Sequence, residues 1–225
     1  MACPPSLNSL QKDHDDSDHR QSSHEVEEFQ PPEYDRDLLA MLPNIDIIDG
    51  LINFYFEYCN WIYRHINQPS FAQHWQRFKN GTSSDRITLA SACAMMALAT
   101  QYLSAKHPLL ESFSHPIEEV GLKLWEISGI ALQRRMAETR SYTLELIELL
   151  LCRCHFLTMH KNDSEEIWTI RGELVTTALA MGLHRDPSKW KKRWDQTTAE
   201  RRRWAWWHIV LLERYVDSPT IIDPK

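Results

Sequence analysis

Four groups of residues in this chain have types and spacings that invite a chemical reading. Cys152-Arg153-Cys154-His155 has the donor types of a metal tetrad. It falls inside an apolar helical run, where residues two apart point about 200° away from each other. The two sulfurs cannot share one ion there without unwinding the helix. Packing cysteines are the expectation for both, and for Cys59 and Cys93. His184-Arg185-Asp186 matches the start of a kinase catalytic loop, but Lys191 stands where that loop needs Asn, and no Gly-rich loop precedes it. His14, His19 and His24 recur near aspartates in a low-complexity stretch, where solvated sequence is the simpler reading. The acidic pairs Glu118/Glu119 and Glu165/Glu166 sit at expected helix starts, where the helix dipole accounts for them. No phosphate-cradling loop, His-Glu-x-x-His or Gly-x-Ser-x-Gly motif occurs. No nucleophile, base and orienting group can be nominated, so the expectation is that the chain is not an enzyme.

The elements that carry these residues read as helices. From Asp35 onward apolar residues recur at helical spacing, and almost nothing alternates like a strand. A first helix is expected over about 47–66, capped by Asp46 or Asp49, with Pro69 beyond its end. A second covers about 84–105, where Ala90, Ala94, Ala97 and Ala105 allow close helix approach. A third runs from Pro116 to about Met136, and a fourth, apolar on most sides and therefore central, from Ser141 to about His160. A fifth spans about 164–181, with Trp168, Gly172, Val175 and Leu179 on one stripe and Ile167, Leu174, Ala178 and Met181 on another. Gly182 suits a left-handed C-cap, and Pro187 blocks renewed helix. A sixth begins with the capping-box pattern Thr197-Thr-Ala-Glu200, with Trp204, Trp207, Leu211 and Tyr215 as its core stripe. The fold class is all-α: a multi-helix layered bundle behind a disordered acidic arm.

Composition supports that division. The 225 residues include 9 Trp but only 6 Gly, which disfavours glycine-turned β architectures. The formal net charge is −6. Residues 1–40 hold ten acids against three bases, and their Ser/Asp/Glu/Gln/Pro-rich sequence cannot offset its ordering entropy by burial. The arm is therefore 1–40 and the helical body 41–225. Residues 184–204 hold eight cations against three acids, yet the near-neutral body lacks the strongly basic field of an autonomous DNA binder. No apolar run is long enough for a membrane span. Five cysteines at irregular spacing imply no disulfide framework. The start of the chain has no secretory pattern, and a reducing compartment is the default.

The C-terminal third carries a family likeness. Gly182-Leu183-His184-Arg185-Asp186-Pro187, then Glu200-Arg201-Arg202-Arg203 followed by Trp206-Trp207, then Glu213-Arg214, resembles the fungal-specific transcription factor domain. This is the middle homology region of fungal zinc binuclear cluster regulators. Tyr55-Phe56 and His65-Ile-Asn-Gln-Pro69-Ser-Phe71 resemble its start, so the likeness spans about 45–215. The family's zinc sits in a six-cysteine DNA-binding cluster, whereas residues 1–45 contain only Cys3. Those DNA contacts therefore do not carry over, and no cofactor is expected in this chain. The ending Tyr215-Val-Asp-Ser-Pro219 departs from the Gly-Arg-Pro-like turn of the family. It suggests a C-terminally truncated regulator, a natural short form or an incompletely assembled gene.

The resemblance implies a nuclear, fungal-specific regulator of RNA polymerase II genes. It would act through a helical interaction domain rather than by reading DNA itself. Implied partners are other regulators or a DNA-binding partner, a second copy of the chain, or a small effector; a membrane is not among them. The signature residues are expected to maintain the fold: one of Arg201–Arg203 should pair with a carboxylate such as Asp186, and Trp206–Trp207 should lie in the core. The alternative is a small-molecule-binding helical domain or an uncharacterised enzyme of the same fold. That reading requires a concave pocket with converging polar groups.

Overall fold

The stretch from Ile87 to Thr100 contains no charged residue and is rich in Ala, Leu and Met. A helix made of it can be buried on every side, and the rest of the chain is arranged around it. In a computed structural model, which describes residues 35–216 apart from 83–84, 105, 112, 161–164 and 190–193, this helix is α5 (Arg86–Tyr102). All fourteen residues from Ile87 to Thr100 are buried. Before it come α1 (Arg36–Leu39), α2 (Ile45–Phe54), a π-helical turn (Tyr55–Cys59), α3 (Asn60–Tyr63) and α4 (Gln68–Lys79). After it come a 3-10 turn (Pro108–Leu110), α6 (Ile117–Glu138), α7 (Leu144–Met159), α8 (Glu165–Ala180), a second 3-10 turn (Pro187–Lys189) and α9 (Gln196–Val216). No strand occurs among the described residues.

Helix α6 runs along α5 at close range. A Cβ on Gly121 would run into Thr100 Oγ1, and the buried Ser128 hydroxyl donates to the Ala90 carbonyl at 2.7 Å. Small residues on both helices make this approach possible. Helix α7 is buried from Leu146 through Leu157 and packs on both α5 and α6, the central position expected of it. Its four-residue spacing of apolar groups is filled in on every face, so Cys152 and Cys154 are fully buried and free. Burial pushes the two thiols up to about 12 and about 11, which makes them inert packing groups.

Several local signals shift when three-dimensional partners are present. Asn44, not Asp46 or Asp49, caps α2 by accepting from the Ile47 amide at 3.0 Å. Asp49 instead receives the Trp75 indole N–H at 2.6 Å and Lys79 at 2.9 Å. The expected helix 47–66 runs without a break over 45–63 and carries a π turn at Tyr55–Cys59. Pro69 is not the stop of that helix; it lies in the first turn of α4, whose start Asn67 caps through Ser70 N at 3.0 Å. Asp195, two residues before the expected Thr-Thr-Ala-Glu box, caps α9 by accepting from Thr198 N at 2.9 Å.

The arm boundary at residue 40 also moves. Asp35 is buried and receives Arg86 at 2.6 Å and Arg134 at 2.7 Å, and Leu38 lies in the core. The folded body therefore reaches back to Asp35. Residues 1–34, including His14, His19 and His24, lie outside the described residues.

Candidate functional site

The signature segments meet at the seam where α9 docks on α7 and touches the end of α8. Helix α8 ends as its sequence dictates. Gly182 adopts φ 67°, its amide donates to the Leu179 carbonyl, and the Leu183 amide donates to Ala178, each at 2.9 Å. These paired bonds close the helix end with glycine in the left-handed position. Gly182, Leu183 and Pro187 are buried, while His184, Arg185 and Asp186 lie at the surface. The corner is thus anchored by its glycine and apolar members. His184 rests edge-on to Trp206 with ring centroids 6.0 Å apart, and Arg185 Nε lies 3.2 Å from His184 Nε2.

The three consecutive arginines diverge, because successive helical residues point about 100° apart. Arg201 reaches α7. Its Nη2 donates to Glu148 Oε1 at 2.8 Å and to Glu145 Oε1 at 3.1 Å, and its Nε donates to Glu148 at 3.0 Å. Glu148's second oxygen accepts from the Asn67 amide at 3.2 Å, tying the start of α4 into the same network. Burial pushes the Glu148 carboxyl up to about 7 against the pull of Arg201. Glu145 is half-buried, and desolvation pushes its carboxyl up. Its own backbone amide and Arg201 nonetheless hold it below the ordinary carboxylate range.

Arg202 is buried and donates to the Met181 carbonyl at 2.7 Å. That carbonyl belongs to the C-terminal end of α8, where unpaired acceptors and the dipole both favour a cation. The same guanidinium lies over the Trp194 ring, 4.6 Å from its centroid. Arg203 stays at the surface with Glu200 and, at 3.4 Å, Asp186. So the expected Asp186 partner exists, but it holds the most exposed of the three arginines.

A fourth arginine completes the seam from the other side. Arg171 of α8 is buried and donates to the Leu212 carbonyl at 2.9 Å and to Glu213 at 3.1 Å. Glu213 therefore carries the contact at the end of the signature, and Arg214 beside it is exposed. Beneath α9 three imidazoles meet. His65, from the turn before α4, lies 5.2 Å from His155 and 5.1 Å from His208 between ring centroids. Burial lowers all three, His155 and His208 to about 4 and His65 well below its ordinary value, with its two neighbours adding to the effect. They are neutral packing groups at pH 7.

The expected core stripe of α9 faces the wrong way. Trp204, Trp207 and Leu211 are 48%, 61% and 53% exposed. The buried positions are Arg202, Ala205, His208 and Ile209, with Trp206 half-buried. Trp207 is therefore not a core residue. On α8 the Trp168 stripe likewise lies outward, with Trp168 and Leu179 exposed, while the stripe of Leu174 and Ala178 is buried as expected and Arg171 joins it. In both helices a buried cation with waiting acceptors displaces an indole from the inner face.

Among the described residues no group of three or more His, Cys, Asp or Glu is set to hold a metal ion, and no helix is long and apolar enough to cross a membrane.

The described body is all-helical and layered, and an arginine-stapled helix closes its C-terminal side behind a Gly-Leu-His-Arg-Asp-Pro corner. The fungal-specific transcription factor domain matches residues 52–217, and the chain belongs to that family. It is 28% identical over 193 residues to the equisetin cluster transcription factor eqxF of Fusarium heterosporum, covering 81% of this chain and 27% of that protein. It is 27% identical over 193 residues to the fusarisetin A cluster transcription factor fsa6 of Fusarium sp. (strain FN080326), covering 81% of this chain and 25% of that protein. The chain thus spans about a quarter of the length of the curated relatives it matches. No solved structure matches it.

Proposed function

We propose that this chain supplies the regulatory helical domain of a nuclear, pathway-specific regulator of RNA polymerase II genes, and that it works through protein contacts rather than by reading DNA or by catalysis. The relatives are named as transcription factors of biosynthetic gene clusters, which supports control of one metabolic cluster as the role. The observation that carries the interaction reading is the use of the basic run. Arg201 is held by two carboxylates, Arg202 by a helix end and Arg203 by Glu200 and Asp186. Phosphate contacts would have to compete with these partners. The partner expected on this reading is a DNA-binding regulator or a second copy of the chain.

The test has two arms. Purified chain titrated with duplex DNA at about 50 mM salt should show only weak binding with no sequence preference. The chain tethered to a heterologous DNA-binding domain should change the output of a reporter gene. Tight, sequence-selective binding by the chain alone would overturn the reading, as would a tethered chain that leaves the reporter unchanged.

A further inference from the structure

Helix α9 turns one side to the body and another to the surface. Arg201 reaches α7, and Arg202 reaches the end of α8. On the opposite side Glu200, Trp204, Trp207, Leu211 and Arg214 stand at offsets of 0, 4, 7, 11 and 14, one straight stripe along the helix, and all five are exposed. This alternation of four and three is the spacing of a helix–helix seam. Two indoles and a leucine in one row present on the order of 300 Å² of apolar surface. Single exposed apolar residues need no explanation, whereas a contiguous row of that size marks an interaction site.

The ends of the stripe carry opposite charges. Glu200 stands near the start of α9, and its Oε1 accepts from Arg203, which leaves the second carboxylate oxygen open. Arg214 stands in the last turn, exposed, and has no ion-pair partner among the described residues. A face with a carboxylate at one end and a guanidinium at the other complements itself when turned end for end.

The geometry of such a pair follows from the helix. When two α9 helices lie antiparallel about a two-fold axis at Trp207, residues equally far on either side of 207 face each other. Glu200 and Arg214 are each seven residues from Trp207. Seven residues bring both within about 20° of the direction of Trp207 and about 10 Å from the axis. Glu200 of each copy then meets Arg214 of the other. Trp204 lies opposite Val210, and Leu211 opposite the aliphatic stem of Arg203. A parallel pairing would instead set Glu200 on Glu200 and Arg214 on Arg214, and like charges repel. The apolar area is smaller than the roughly 800 Å² per partner of a standard interface, which suits a weak, concentration-dependent dimer.

We propose that two copies of this chain associate through the outer stripe of α9, antiparallel about Trp207, with the Glu200–Arg214 pairs setting the orientation. The proposal rests on the reading that the domain works through protein contacts, and it adds the surface, the partner and the orientation. A monomeric chain that still changes the reporter sinks this proposal alone, and a dimeric chain that leaves the reporter unchanged sinks that reading alone.

The test is sedimentation velocity of the full 225-residue chain from about 1 to 300 µM at about 100 mM salt, where a monomer–dimer equilibrium with a Kd on the order of 10 µM is expected. W207A, at the two-fold axis, should weaken association about tenfold or more. E200R and R214E, both at exposed positions and checked for fold by circular dichroism, should each weaken it about fivefold, because each sets like charges against each other at both ends. The double variant E200R/R214E restores opposite charges and should return the Kd to within about twofold of the unaltered chain. L122A, at an exposed apolar position on α6, should leave it unchanged. Three results would each overturn the proposal: a monomer throughout that concentration range, equal effects of W207A and L122A, or a double variant that associates no more tightly than either single one.

Discussion

The centre and the C-terminal edge of this protein are held together by different physics. Around α5 the contacts are apolar and close: Met95, Met96, Leu98, Leu149 and Phe156 are fully buried, and small residues let α6 approach. At the α9 seam Arg202 and His208 are buried beside Ala205 and Ile209, and Arg171 of α8 and Glu148 of α7 are buried there with bonds to Glu213 and Arg201. The first region is non-directional and tolerates any shape that fills it. The second demands particular partners, because a buried cation without its acceptors is costly. Apolar burial therefore builds the body of this domain, and charge pairing fixes the position of its last helix.

The difference can be probed by pH, and the effect there is the largest expected. Folded His155 and His208 titrate near 4, against about 6.5 in the unfolded chain. Their depressed values mean the unfolded state takes up protons first as the pH falls from about 6.5 to about 4, and His65 acts in the same direction. Stability is lost over that window at about 1.4 kcal/mol per pH unit for each net proton. Glu148 runs the other way. Its folded value of about 7 lies above the unfolded one, so its contribution is present below about 4.3 and lost as the pH rises through 7. Three histidines outweigh one carboxylate, so urea midpoints should fall from pH 6.5 to pH 4. A flat profile would show that the imidazole cluster is not buried.

Single substitutions sharpen the contrast. L149A, in the apolar centre, should cost about 2–5 kcal/mol by urea unfolding, with the same loss at pH 5 and pH 8. R201M should cost about 3 kcal/mol at pH 8, where it strands an ionised Glu148, and clearly less at pH 5, where that carboxyl is protonated. R202M, which uncaps α8, should cost about 1.5–3 kcal/mol. R203A should leave the midpoint where it is, because its partners lie at the surface. Equal pH dependence for L149A and R201M would remove the distinction between the two regions.

How far the sequence could be read follows the same line. Helix identity in the body was legible, because Leu144–Met159 and Arg86–Tyr102 carry continuous apolar character and Gly182 marks its own cap. Helix α4 was not: Pro69 reads equally well as the end of one helix or the first turn of the next, and only the Asn67 cap chooses. Hydrophobicity ranks tryptophan above arginine, so the Trp168 stripe of α8 and the Trp204 stripe of α9 read as inward although they are exposed, whereas the Leu174–Ala178 stripe of α8 is legible and buried. Arg202 and Arg171 go inward for their acceptors, which lie on other helices and leave no mark in local spacing. One signal was available. Glu148 sits in the apolar run of α7, and a carboxylate there requires a cation from elsewhere in the chain. The same signal, followed to α9, leads to Arg201.

The most direct test of the seam is a double-mutant cycle between Arg201 and Glu148, using R201M, E148Q and the pair, read by urea unfolding at pH 8. The account predicts a coupling of about 2 kcal/mol or more, with the double variant more stable than R201M alone. Additive losses, with coupling near zero, would contradict it and leave α9 docked by its apolar contacts alone.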